Sequence, residues 1–275
     1  MEKTKRDLLG VQIDELKGEE VVVKVMEWVK DKGKAKTIAT VYSEFLVEAD
    51  NSKDFRNVLD KTDLRIVDGA LVLGGLRYQE MNEKSQRLIG NGLKVGWRGM
   101  RGKNGETVTG VWLFERLVEE AARQGWKVFL LGGFGDTSRR LKEKLEKDHP
   151  GLRIEYDAGG QSVGDIKKEN QRVIKKINDF EPELLMVAYG PVRQETWMVE
   201  NRRKVKAKVM IGLGGTFDEV LGLIPRSPEW MDRSGLRWLW RVYKQPKRLK
   251  RIWKAVVVCP WRLYKEEVKK YGKKK

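Results

Sequence analysis

Short apolar runs alternate with amphipathic stretches along most of the chain. Leu8 to Ile13 switches loosely between apolar and polar positions, which predicts a first strand. Gly18-Glu19-Glu20 then introduces a helix, in which Val21, Val22, Val25, Met26 and Val29 recur at helical spacing up to Lys30. Lys36 to Val41 reads as a second strand, and Tyr42-Ser43-Glu44 turns it into a helix. Leu64 to Val67 is the next apolar run and ends in Asp68-Gly69. Thr109-Gly110 opens an amphipathic helix through Leu113, Leu117, Ala121 and Ala122. Further strands are predicted at Lys127–Leu131, Leu152–Tyr156, Glu183–Ala188 and Val209–Leu213, with helices at Ser138–Lys147 and Asp165–Phe180 between them. Alternation of this kind predicts an α/β fold with a Rossmann-like, mostly parallel sheet and flanking helices. Residues 79–107 break the pattern. Gln79 to Arg87 is polar, and Gly90 to Gly105 holds six glycines and four basic residues, so the stretch reads as a mobile loop or hairpin near the strand mouths.

Charge divides the chain in a way that hydropathy does not. Of 275 residues, 57 are Lys or Arg and 40 are Asp or Glu, a net charge of +17. Residues 226–275 hold 17 Lys or Arg against 4 Asp or Glu, and five of the ten Trp. The expectation is an α/β core over residues 1–222 and a basic, aromatic, helical appendage over residues 223–275. Such a tail favours anionic partners. Lys247, Lys250, Arg251 and Lys254 interleave with Leu249, Ile252 and Trp253, which suits an anionic bilayer surface. The same charge could follow a nucleic-acid backbone, but no recognised binding motif accompanies it. One cysteine, Cys259, excludes an internal disulfide, and with one histidine, His149, no Cys/His zinc site can be built. The N-terminus leads into no signal-peptide core, and the apolar run Ala255 to Cys259 is too short to span a bilayer. The protein is therefore expected in the cytoplasm, with any membrane contact peripheral.

Two stretches suggest chemistry on their own. Asp68 stands at the C-terminal mouth of a predicted buried strand, where ligands of open α/β sheets sit and where a carboxylate can take a proton from a hydroxyl. Taken alone, Asp-Gly reads first as a plain turn. Gly132-Gly133-Phe134-Gly135-Asp136-Thr137, between a strand and a helix, suits a phosphate-binding turn, and it is also compatible with an ordinary strand–helix connection. It lacks the Gly-Lys-Ser/Thr ending of a P-loop.

Three longer stretches carry a resemblance. They are Ala188-Tyr189-Gly190-Pro191-Val192-Arg193-Gln194-Glu195-Thr196-Trp197, then Ile211-Gly212-Leu213-Gly214-Gly215-Thr216-Phe217-Asp218, then Pro225-Arg226-Ser227-Pro228-Glu229-Trp230-Met231, continuing to Gln245-Pro246-Lys247-Arg248. In order and spacing the sequence from about Thr40 to about Arg251 resembles the WecG/TagA/CpsF family of bacterial glycosyltransferases. The resemblance implies transfer of an N-acetylated amino sugar, N-acetylmannosamine or similar, from a UDP donor. The implied acceptor is a polyprenyl-diphosphate-linked sugar at the inner face of the cell membrane, in teichoic acid or surface polysaccharide synthesis. It further implies inversion at the anomeric carbon, no metal and no cofactor, a C-terminal appendage that docks on the membrane and completes the site, and self-association. Asp68 falls on the position of the general base and Thr40 on a second catalytic position. Gly132, Gly133, Tyr189, Gly190, Gln194, Gly214, Gly215 and Asp218 match substrate-binding motifs, and Arg226, Arg241 and Arg248 match arginines that would meet the charge of the leaving diphosphate. No nucleic acid is expected as a partner.

The sequence departs from the family pattern mainly in its N-terminal half. Tyr42 stands where Asn is expected, Thr107 where Arg is, and Trp112 where an acid is. Arg237 and Gln245 each replace a Glu, and Gly190 directly precedes Pro191 with no residue between. A different sugar or acceptor follows from these changes while the base candidate and the arginines remain. The competing readings are a degenerate relative that binds nucleotide sugars or scaffolds an assembly without turnover, and a nucleic-acid-binding protein.

Overall fold

The computed structural model describes residues 5–225, 227–228, 230–231, 237–244 and 249–272. Its centre is an eight-stranded sheet: β1 (Lys5–Leu8), β2 (Val11–Asp14), β3 (Lys36–Val41), β4 (Leu64–Val67), β5 (Lys127–Gly132), β6 (Arg153–Asp157), β7 (Leu184–Ala188) and β8 (Val209–Gly212). The spatial order is β1-β2-β4-β3-β8-β7-β5-β6, with every described pairing parallel except β1 with β2. The expected Rossmann-like, mostly parallel α/β fold is present.

Side-chain alternation along the central strands explains the two covered faces. Val128 and Leu130 of β5 enter one core cluster, while Phe129 and Leu131 enter another. Leu184 and Met186 of β7 likewise separate from Leu185 and Val187. A strand buried on both faces needs helices on both. On one face lie α1 (Gly18–Val29), α6 (Gly110–Gln124) and α7 (Thr137–Asp148), contributing Val21, Leu113 and Leu141. On the other lie α8 (Val163–Phe180) and α9 (Arg193–Asn201), contributing Val173 and Met198. A separate cluster under β3 and β4 collects α2 (Ser43–Asn51), α3 (Lys53–Asp60) and α4 (Ala70–Ser85).

Two expectations are corrected. The single strand expected over Leu8–Ile13 is a hairpin, because the chain reverses at Leu9 (φ 54°) and Gly10 (φ 79°). Left-handed backbone at both loop positions is what the type I′ turn of a two-residue hairpin requires. The loop expected over residues 79–107 is mostly helix: the rest of α4, then α5 (Leu88–Met100), joined at Gln86 in a left-handed conformation. Glycine weakens an isolated helix by roughly 1 kcal/mol per residue. Here packing overrides it. A Cβ on Gly74 would sit 3.5 Å from Val95 and one on Gly92 would sit 3.7 Å from the Tyr78 ring, so α4 and α5 approach closely. Asn91 also donates to Asn82 at 2.7 Å and to Ser85 at 3.0 Å.

After β8 come α10 (Thr216–Val220), α11 (Arg237–Lys244), α12 (Leu249–Trp253), a π-helical turn at Lys254–Val258 and α13 (Cys259–Gly272). Cys259 and Leu263 of α13 are buried in the cluster formed by Leu8, Val11, Phe45 and Leu76. Among the described residues no helix is long and apolar enough to cross a membrane.

Candidate active site

The winding direction changes after β4, since β3 and β4 lie on one side of β8 while α6 carries the chain across the sheet to β5. A crevice opens at such a point, at the carboxyl ends of the strands. In this protein it is a cavity of about 830 Å³. Its wall takes residues from the ends of β3, β4, β7 and β8, from the start of α6 and from the turn after β5.

Most of the residues singled out in the sequence meet there. Asp68, Thr40, Gly133, Tyr189, Gly190, Gln194, Gly214, Gly215 and Asp218 all line the cavity. Asp68 is half-buried, and its backbone N–H donates to the Val41 carbonyl at 2.9 Å, which fixes it at the level of the β3 terminus. Gly69 follows at φ 99°, with open space where a Cβ would be. Thr40 is buried, and its hydroxyl donates to the Gly212 carbonyl at 2.9 Å, tying β3 to β8. Tyr42, Thr107 and Trp112, the three departures from the family pattern, line the cavity as well.

The glycine turns work by shape. Gly132 lies behind the wall at φ 91°, and a Cβ there would stand 2.9 Å from the Ala188 carbonyl carbon, so only glycine lets β5 end so close to β7. Three N–H groups of the turn are committed inside the protein. Gly133 donates to Ala188 at 3.1 Å, Gly135 to the Gln161 side chain at 3.3 Å and Thr137 to Phe134 at 3.2 Å. Gln194 is equally engaged. Its Oε1 accepts from the Gly214 N–H at 2.9 Å, and its Nε2 donates to Glu195 Oε1 at 2.7 Å. It thus holds the β8–α10 turn against the start of α9. Asp218 Oδ1 lies 3.3 Å from the Thr137 hydroxyl, which links α10 to α7.

Burial shifts the titration of Glu195 and Tyr189 around this wall, and of Cys259 in the cluster shared by α2, α4 and α13. Desolvation pushes Glu195 up to about 8, and the Gln194 amide bond only partly offsets it. Desolvation also raises the Tyr189 phenol, whose ring packs edge-on to Trp197 at 5.9 Å. Burial pushes the Cys259 thiol up to about 12, which leaves it protonated and unreactive. Val192, the residue before α9, has φ 68° and ψ −51°, a strained conformation for a β-branched side chain.

Arg226 and Arg248 lie outside the described residues, and of Arg241 only its position in α11 is described. The appendage still reaches the cavity through Ser227, Ile252 and Ala255. Sequence reasoning missed three wall residues. Arg193 stands inside the Tyr189–Trp197 motif, and its Nη1 donates to the Gln161 carbonyl at 3.3 Å. Phe134 is 80% exposed in the turn after β5, an aromatic displayed between glycines. Glu115 sits one turn into α6, where nothing in the helical pattern marked it.

A parallel sheet with a roomy crevice at its strand ends, walled by glycine turns, defines a ligand-binding protein of the Rossmann-like class. The chain belongs to the glycosyl transferase WecG/TagA/CpsF family, whose model matches residues 6–91 and 82–273. It is similar to the N-acetylglucosaminyldiphosphoundecaprenol N-acetyl-beta-D-mannosaminyltransferase of Bacillus subtilis (strain 168). The identity is 28% over 215 residues, which cover 78% of this chain and 74% of that protein.

Proposed function

We propose that the protein transfers an N-acetylmannosamine-type sugar from a UDP donor to a polyprenyl-diphosphate-linked N-acetylglucosamine, in teichoic acid or surface polysaccharide synthesis. The name of the Bacillus subtilis relative supports the sugar and the lipid-linked acceptor. The observation that carries the chemistry is Asp68, a half-buried carboxylate on the wall of the same cavity as the glycine turns and Gln194.

In this reading the acceptor hydroxyl gives its proton to Asp68 while its oxygen attacks the anomeric carbon. The new C–O bond forms on the face opposite the nucleotide. The bond to the diphosphate oxygen breaks, and its electron pair leaves with UDP, so the anomeric centre inverts without a metal. The charge gathering on the diphosphate calls for guanidinium groups. Arg193 supplies one from the wall, and Arg226, Arg241 and Arg248 supply more from the appendage. Thr40 and Gln194 act by holding β3 and the Gly214 turn where the donor needs them. An acceptor anchored in lipid brings the enzyme to the inner membrane face as a peripheral protein, where the basic tail meets anionic headgroups.

Tyr42, Thr107 and Trp112 favour a second reading of the specificity: they replace an amide, a cation and an acid on the cavity wall, so the sugar or acceptor differs from that of the Bacillus relative. A thermal-shift panel of nucleotide sugars separates the two, because a ligand stabilises the fold more the further its concentration exceeds its dissociation constant. For the mechanism the test is Asp68→Asn. Transfer should fall roughly 10²–10⁴-fold, the usual contribution of a positioned base, with UDP affinity kept. Unchanged turnover would remove Asp68 from the mechanism.

A further inference from the structure

Helix α5 presents an apolar stripe to the outside. Ile89 is 70% exposed, Leu93 73%, Trp97 52% and Met100 57%. At 100° per residue these four fall within about 80° of the helix circumference. Asn91 and Val95, which face α4, are on the opposite side and are buried. The helix therefore has two faces: one, with Asn91 and Val95, is used by the fold, and the other is the exposed apolar stripe. Isolated exposed hydrophobic residues need no explanation, but a contiguous row of four large ones does.

The chemistry around the stripe selects its occupant. From Gln86 to Gly105 the chain holds five basic residues, Arg87, Lys94, Arg98, Arg101 and Lys103, and no acidic one. Among the described residues none of the five forms an ion pair. The Arg101 guanidinium lies 3.6 Å from the Trp97 ring centroid, so the aromatic and the cation share one edge of the stripe. Bulky apolar side chains flanked by uncompensated cations match an anionic lipid surface, with the stripe among the acyl chains and the cations at the headgroups.

The position of α5 gives such docking a consequence. The α4–α5 hairpin leaves the cavity wall at Gly69, Ala70 and Leu71 and rejoins it at Thr107. Its return is fixed where Arg77 Nε donates to the Asn104 carbonyl at 2.9 Å. We infer that the exposed face of α5 is a second membrane-docking surface, separate from the C-terminal appendage, which seats the cavity mouth against an anionic bilayer. The docking is read from the helix itself, and it rests on the proposed reaction only for the lipid-linked substrate it would bring to the mouth.

The test is co-sedimentation of the full chain with phosphatidylcholine vesicles that contain or lack phosphatidylglycerol. Wild-type protein should bind the anionic vesicles. The double variant Leu93→Ser, Trp97→Ser should bind on the order of ten-fold more weakly or worse, given the transfer energy of two large apolar side chains, with an unchanged melting temperature because both sites are exposed. Lys94→Gln with Arg98→Gln should weaken binding to anionic vesicles and leave the weak binding to neutral ones. Asp68→Asn should sediment as wild type, so loss of the proposed chemistry and loss of docking are read separately. Retention of the Leu93/Trp97 variant at the wild-type level would overturn the inference. So would a wild-type dimer in solution that the same variant converts to monomer with no change in sedimentation, since a second copy of the chain would then cover the face.

Discussion

Glu195 is wholly buried directly behind the cavity wall, and its Oε1 would lie 2.6 Å from a Cβ placed on Gly212. An ionised carboxylate in that position lacks adequate compensation, so the side chain keeps its proton up to about pH 8. The consequence for stability has a definite sign. Below the unfolded value of about 4.5 both states are protonated and the contribution is complete. As pH rises toward 8 the unfolded chain releases its proton first, so stability falls, and above 8 it levels off. Glu195→Gln keeps the shape and removes the titration. Its melting temperature should therefore gain on wild type steadily between about pH 5 and pH 8, which thermal melts across that window would measure. A constant difference between the two proteins would show that Glu195 is ionised in the fold. Gly132 makes a separate residue-scale case. Gly132→Ala demands both a left-handed backbone and a contact at 2.9 Å with backbone that cannot yield, so it should destabilise the fold by more than 1 kcal/mol, read by urea denaturation.

At the scale of elements, the β1–β2 hairpin is fastened to the sheet by one buried group. Arg65 on β4 donates through Nε to the Gln12 carbonyl at 2.6 Å and through Nη1 to the carbonyls of Leu59 and Thr62, and its Nη2 lies 3.6 Å from Asp14. β2 meets β4 through only one register pair, Asp14 with Ile66, so these side-chain bonds replace a ladder. Arg65→Ala would take from the buried Asp14 carboxylate its buried cation and leave only the half-exposed Lys5 ammonium, 4.0 Å away. A loss of about 3–5 kcal/mol is expected, as for breaking any buried pair from one side, together with faster hydrogen exchange in residues 5–14. The central strands were legible in the sequence because both of their faces are buried, which produces continuous apolar runs such as Leu184 to Ala188. The hairpin was not, since Gly10 in the middle of an alternating stretch carries no sign of which way the chain turns. Nor was α5, whose six-glycine context argues against a helix until Gly74, Gly92 and Val95 are seen packed together. Asp68, Gly133, Gln194 and Gly214 were legible as a set because each follows a strand end, and parallel strands gather their ends on one edge. Glu115 carried no such positional mark, and Phe134 shared it but stood in a turn read for its glycines.

For the whole molecule, charge and packing divide the chain differently. Residues 226–275 carry most of the net positive charge, which suggests a tail apart from the body. Packing joins that tail's last helix to the body. Leu263 is 4% exposed, and its Cδ1 lies 3.0 Å from where a Cβ on Gly75 of α4 would be, so the two helices meet at a glycine. Cys259 is buried beside it, Arg262 donates to Asp50 at 2.6 Å, and Leu9 N–H reaches Glu266 at 3.4 Å. The segment just before this anchor, Ile252 and Ala255, forms part of the cavity wall. An anchored terminal helix holds the tail's inner half in place, with Lys254 paired to Glu48 and Arg262 to Asp50 on α2. Leu263→Ala tests that arrangement. If α13 belongs to the core, the substitution should cost about 2–5 kcal/mol in urea denaturation, as for other buried Leu→Ala changes. If the helix were a loosely held appendage, the cost would be within about 0.5 kcal/mol, the range of surface substitutions. The variant should also lose transfer activity under conditions where most of the protein remains folded, because a loosened α13 releases Ile252 and Ala255 from the wall. Full activity alongside a full stability loss would mean that the cavity does not depend on the tail's position.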